Sequence, residues 1–353
     1  MPQGYPIQTP GVNVSNTGFN NPAFLSRING ISAGVSYQYG ATIEKAYIGQ
    51  IMGKNLVNGL PYSAAVSYQT GNLHFGAAIA QRYNLRIDSG PIPVTTVENP
   101  DGTDKTGNLI NDRDIHDYSV ISSYNIKDLP GGNSLSLGLR VSLGRLSYCD
   151  NNTFGPQAKI TETSAYAMAF ALGAGYKIAT GSGDINLGAF FEKGYDFRKF
   201  VHIEFDRSAL TGPDNRVYYL TDPSFNLEIS TPDAIRLDFA YDLPKVQITA
   251  NLSEIFWNSA SDNYKNNLDF SAGAYYRTNE MLSLFFGVSM NDRKNSDSFP
   301  NYFNKYYNAL FLTLGAEAAY GSYTLGMSVS DSHLLSAETR RQTLGRLTLG
   351  YQF

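Results

Sequence analysis

Five arginines stand one to a segment in a chain otherwise sparing with charge: Arg82, Arg140, Arg236, Arg277 and Arg346. A guanidinium is a planar fork of donors that fits a carboxylate bidentately, so Arg82, Arg140 and Arg236 are candidate ligand-binding residues for the acid head of an amphiphile. Glu192, Asp238, Asp269 and Glu317 occur in similar segments, and an internal ion-pair network is the plainer use of that set. Phe19, Phe24 and Leu25 near the start, and Phe197, Phe200 and Phe205 further on, are the apolar side chains expected to line a ligand path. Packing of a plug against a wall is their competing use.

Catalytic constellations are lacking. The four histidines, His74, His116, His202 and His333, show no metal-ligand spacing, and no Gly-x-Ser-x-Gly elbow occurs. His202 near Ser208 is the one pair that could be pressed into hydrolysis, and nothing around it supports that role. The expectation is a chain that is not an enzyme, with no cofactor and no metal. Asn111-Asp112-Arg113-Asp114 and Asp150-Asn151-Asn152 are oxygen-rich enough for Ca²⁺, with solvated loop tips as the simpler reading. Cys149 is the single cysteine, which excludes an intrachain disulfide and a thiolate metal cluster.

What must position these residues is β structure. Of 353 residues, 42% are hydrophobic, 13% aromatic and only 16% charged, with 33 Gly and 25 Tyr and no long amphipathic helical stretch. A net charge of -4 offers no basic stripe to neutralise phosphates, so nucleic acid is not a partner. No run reaches the roughly 18 apolar residues of a spanning helix. Alternation carries the signal instead: Leu135, Leu137, Leu139, Val141 and Leu143 fall on one side of Ser134 to Gly144, with serines, glycines and Arg140 on the other.

Segments of this kind start near Ile31, Tyr62, Leu73, His116, Ser134, Ala165, Ile185, Ala234, Val246, Leu268, Leu282, Ala309, Tyr323 and Leu344. Six short connectors alternate strictly with longer ones, as in an antiparallel transmembrane β-barrel with tight periplasmic turns and long outer loops. The predicted fold is therefore all-β: a 14-stranded barrel over residues 30–353, preceded by a hatch or plug over residues 1–29. Val201 to Phe205 is read as a strand extension outside the wall, with sixteen strands as the alternative. Tyrosines near strand ends suit the interfacial girdles of a bacterial outer-membrane barrel. A soluble β-sandwich would have to hide an aromatic face on nearly every strand. Met1-Pro2-Gln3-Gly4 lacks a basic region and apolar core, so a secretion signal is expected to have been removed ahead of this start.

Asn21-Pro22-Ala23, a few residues before the first strand, resembles the hatch motif of the long-chain fatty-acid transporter (FadL-like) family. Pro61 at strand two, Thr231-Pro232 before the eighth strand, Tyr351-Gln352-Phe353 at the end and the strand count extend the resemblance over the whole chain. It implies diffusive uptake of a hydrophobic small molecule, fatty-acid-like or aromatic. Capture by outer loops is followed by lateral escape beside an inward kink in strand three. Gly76, among the inward-facing His74, Ala78 and Ala80, is the position expected to kink. Lipid and lipopolysaccharide surround such a barrel, and a monomer is implied. The chain departs from the family in its loops: there the third and fourth outer loops form the capture groove, whereas here the second and fourth are longest and the third is modest. A scaffold for a secretion or surface-protein assembly, docking a protein partner on aromatic outer loops such as Asn301 to Asn308, is the alternative function. A polar porin is disfavoured, because fourteen strands leave little room around a plug.

Overall fold

The computed structural model describes residues 14–44, 56–88, 92–93, 106–107, 109–152, 158–202, 204–205, 224–260, 265–291, 309–332 and 340–353. Fourteen strands form the wall: β1 (Ile31–Glu44), β2 (Leu56–Thr70), β3 (Leu73–Asp88), β4 (Leu109–Leu129), β5 (Asn133–Asn152), β6 (Ala158–Ala179) and β7 (Asp184–Glu192), then β8 (Asp233–Asp242), β9 (Val246–Phe256), β10 (Asn267–Arg277), β11 (Leu282–Asn291), β12 (Ala309–Tyr320), β13 (Tyr323–Asp331) and β14 (Arg340–Gln352). Each pairs antiparallel with the next, and β14 returns onto β1 from Ser32 opposite Gln352 to Glu44 opposite Arg340, so the sheet closes on itself. Among the described residues no helix is long and apolar enough to span a membrane. The crossing is made by strands.

Period-two alternation decides which way each side chain points. Val35, Val66, Leu139, Leu237, Leu314 and Leu349 are exposed on the outside, while Ser36, Ser63, Ser119, Ser142, Thr313 and Thr348 are buried inside. An apolar exterior over a small, polar interior inverts a soluble domain and is what a barrel presents to hydrocarbon. Exposed tyrosines such as Tyr68, Tyr124, Tyr276, Tyr320 and Tyr323 sit near the short-turn end, where an amphipathic ring suits the interface. Two of those turns need left-handed backbone and have glycine there: Gly71 at φ 59° and Gly321 at φ 58°.

All fourteen expected strands are present, with longer reach than alternation alone indicated. β4, β5 and β6 run 21, 20 and 22 residues, against the roughly 9–11 that cross a bilayer, so they stand well above the membrane at the long-loop end. β2 begins at Leu56 rather than Pro61. Val201 to Phe205 is not a continuation of a wall strand: Asp196–His202 pairs with Ser224–Ser230 as a separate hairpin, and Glu204–Phe205 pairs with Lys159 and Ala158 at the outer end of β6. Phe197, Val201 and Leu227 of that hairpin pack with Ile115, Leu146, Tyr148 and Ala165, which point inward from β4, β5 and β6. Apolar residues on the inner face near the rim therefore hold the hairpin over the mouth.

Candidate functional site in the barrel lumen

Residues 14–29 lie inside the barrel. Asn21 is the pivot: its Oδ1 accepts from the Ala23 amide (3.0 Å), while its Nδ2 donates to Ala174 O (3.0 Å) and Ala189 O (3.1 Å). Ala174 and Ala189 face each other across β6 and β7, so one side-chain amide ties the segment to two strands. Pro22 starts the turn Pro22–Arg27 and supplies a preset φ where an N–H would have no partner. The wall accommodates this turn by omission. A Cβ at Gly138 would lie 2.7 Å from Ala23 Cα, one at Gly173 would lie 2.9 Å from Pro22 Cδ, and one at Gly188 would lie 2.6 Å from Phe24 Cζ. Ser26 and Ser123 add hydrogen bonds to Ala23 O, at 2.7 and 3.1 Å.

Gly76 belongs to the same arrangement. Its missing side chain leaves room for Leu25, whose Cδ2 would be 3.3 Å from a Cβ there, and β3 pairs in register through Gly76 with Ser67 on one side and Ile121 on the other. The irregularity in β3 falls at Arg82 instead, where pairing with β4 shifts between Gln81 and Tyr83. β2 has its own shift at Tyr62, opposite Ser36 and Tyr37. Between these two bulges the wall divides: the β2–β3 ladder ends at Ser63–Ala80, while β2 continues outward on β1 and β3 continues outward on β4. Pro61 lies in the part of β2 with a single strand partner, where a missing N–H costs the ladder least. Phe19 lies on the lumen side beside the last rung of that ladder, stacked on Tyr62 at 4.6 Å between centroids and buried with Ala80.

Arg82, Arg140 and Arg236 converge just above this segment. Arg82 pairs with Asp117 and, at 2.8 Å, with Glu192; Arg140 pairs with Glu192 at 2.5 Å; Arg236 pairs with Asp238 at 3.0 Å. Arg82 and Arg140 also donate to Gly18 O (2.8 Å) and Asn20 O (3.1 Å), so the cations hold the segment as well as the acids. The Phe190 ring lies under Arg140 and Arg236 at 5.6 and 4.7 Å. Tyr195, buried just beyond β7, donates its hydroxyl to Asp117; burial, and then the Asp117 charge, push that phenol well above its ordinary pKa, so it stays a donor. Arg346 stands apart, its guanidinium over Tyr62 at 4.2 Å and bonded to Gln38 at 2.9 Å.

The expected ligand residues are thus distributed unequally. Phe19 and Leu25 are buried against the wall, Phe24 faces the short-turn end under Arg27 (4.0 Å), and Phe200 is 56% exposed on the hairpin. The side chains of His202 and Phe205 lie outside the described residues, as do residues 1–13, Ser208, His333 and Asn301 to Asn308. The oxygen-rich clusters face each other across β4 and β5, Asn111 opposite Asp150, and among the described residues no cluster of side chains is set to hold a metal ion. Two spaces flank the charged layer. Toward the turns, a polar vestibule of ≈ 580 Å³ is lined by Arg27, Lys127, Asp128, Asp184, Asp242 and Arg277. Toward the hairpin, a smaller and mostly apolar cavity of ≈ 90 Å³ lies among Tyr195, Pro232, Ala234, Ile255 and Trp257, with Arg82 and Glu192 at its edge. Asp117, Tyr195 and Trp257 were not singled out by sequence; inward parity marks Asp117, since it shares the face of Ser119 and Ile121.

No protein-family model and no curated protein sequence matches the chain. Solved structures do. A FadL homologue from Pseudomonas aeruginosa is 14% identical with a TM-score of 0.66, covering 96% of this chain and 94% of its own. The Pseudomonas putida toluene transporter TodX is 15% identical with a TM-score of 0.62, covering 96% and 94%. The Ralstonia pickettii toluene transporter TbuX is 14% identical with a TM-score of 0.63, covering 96% and 93%. From end to end, the chain is similar in fold to these three barrels.

Proposed function

We propose that the chain is a bacterial outer-membrane channel for small hydrophobic molecules, with residues 14–29 as its hatch and the β2–β3 split as its side exit. The observation that carries this reading is the split itself, flanked by the bulges at Tyr62 and Arg82, with Phe19 stacked on Tyr62 at its edge. An apolar solute crosses the polar lipopolysaccharide layer badly, and a protein that hands it sideways to hydrocarbon spares it a wet pore. The lumen supports the same reading. A segment seated in glycine-lined wall and a layer of paired charges obstruct the axial route that a polar porin would keep open. The likeness to two toluene transporters agrees with it.

Reconstitution in phospholipid vesicles tests the proposal. The barrel is expected to accelerate entry of toluene while leaving the vesicles impermeable to arabinose in a swelling assay. Rapid arabinose swelling without faster toluene entry would make it a polar porin.

A further inference from the structure

Resting on the channel reading above, we infer that the cavity under the outer hairpin binds an uncharged apolar molecule about one aromatic ring across, and that the paired charges at its edge turn carboxylates away. Its walls come from three places: Tyr195 just after β7, Pro232 and Ala234 at the start of β8, and Ile255 and Trp257 at the end of β9. Tyr195, Ala234, Ile255 and Trp257 are all buried. A dry cavity of ~150 Å³ encloses a whole benzene ring; at ≈ 90 Å³ and open on one side, this one takes most of a single ring and excludes a wider one.

The charge pairing sets the selectivity. Arg82 and Lys193 are the cations that border the cavity; Lys193 meets Asp233 at 3.0 Å, Arg82 meets Asp117 and Glu192, and beyond them Arg140 meets Glu192 and Arg236 meets Asp238. Four cations face four carboxylates, and Phe190 lies against two of the guanidiniums. An incoming carboxylate would have to displace one of the protein's own and leave it buried without its cation, which is costly. A neutral ring displaces nothing.

Trp257 is the only tryptophan in the chain, so its emission, excited beyond tyrosine absorption, reports on this cavity alone. Toluene titrated into the purified barrel in detergent is expected to change that emission saturably, and benzoate, the same ring with a carboxylate, to leave it unchanged. Ala234→Phe fills the cavity and is expected to raise the half-saturating toluene concentration by about tenfold or more. Glu192→Gln releases cations and is expected to let benzoate in. Should Ala234→Phe fail to assemble, Ile255→Ala widens the same space and is expected to admit naphthalene. The inference is overturned if toluene leaves Trp257 emission unchanged, if benzoate saturates the unaltered barrel as toluene does, or if the cavity variants change nothing. Vesicle uptake separates the two levels: toluene entry that persists without a Trp257 response sinks this site and leaves the channel reading standing, whereas loss of both sinks both.

Discussion

Replacing Asn21 by alanine removes two hydrogen bonds to the wall and one within the turn, while the Ala174 and Ala189 carbonyls keep each other's amides across the β6–β7 ladder. No buried acceptor on the wall is orphaned, so the cost is the net worth of the bonds, about 1 kcal/mol each for the two wall contacts. About 2 kcal/mol at RT of about 0.59 kcal/mol raises the population of the unseated segment by about 30-fold. Asn21→Asp keeps the oxygen that caps Ala23 and turns the other against two carbonyl oxygens, so it should release the segment further. The assay is hydrogen exchange at the amides of Phe24 and Ile28, which bond to Asn21 O and Leu25 O inside the turn. Exchange should quicken by about 30-fold in Asn21→Ala and more in Asn21→Asp, with strand amides of β6 and β7 unchanged. Unaltered exchange at Phe24 and Ile28, or equal acceleration in the strands, would refute the claim that one amide anchors the segment.

Gly138→Ala should unseat the segment in the same assay, because its Cβ would overlap the Ala23 backbone, whereas Gly345→Ala, with nothing nearer than 3.9 Å, should be silent. Glu192→Gln leaves Arg82 and Arg140 facing an amide and should cost about 3 kcal/mol, read as a lower urea midpoint of the vesicle-folded barrel. Tyr62→Ala removes the ring stacked on Phe19 and should cost about 1 kcal/mol beyond lost area, measured as the coupling energy in a double-mutant cycle with Phe19→Ala.

The wall was legible almost completely, because inside and outside alternate residue by residue, as over Ser134 to Gly144, and fourteen such segments joined by short and long connectors in strict turn fit a closed barrel better than a sandwich. The inner arrangement was less visible. Arg82, Arg140 and Arg236 were correctly placed inward by parity, but parity cannot say that they meet, since β3, β5 and β8 are brought together only by closure of the barrel. The bulges at Tyr62 and Arg82 escaped for a related reason: a bulge is a mismatch between two strands and leaves no period in either one. Gly76 shows how local reasoning misleads. Its glycine reads as a bend within β3, whereas what it accommodates is Leu25, a residue far off in sequence whose approach no strand pattern encodes. Gly138, Gly173 and Gly188 carry the same lesson, each ordinary in its own strand and explained only by the turn they admit.

Closing the β2–β3 split tests the central claim most directly. In a Cys149→Ser background, cysteines placed at Tyr62 and Gln81, where the rung after Ser63–Ala80 would fall, are joined by a short bis-methanethiosulfonate linker, whose two disulfides a reductant cleaves. Toluene entry into vesicles should drop to the rate of empty vesicles when the linker is in place and return when it is cleaved. Entry that continues undiminished through the linked barrel would contradict lateral escape and send the solute down the barrel axis instead.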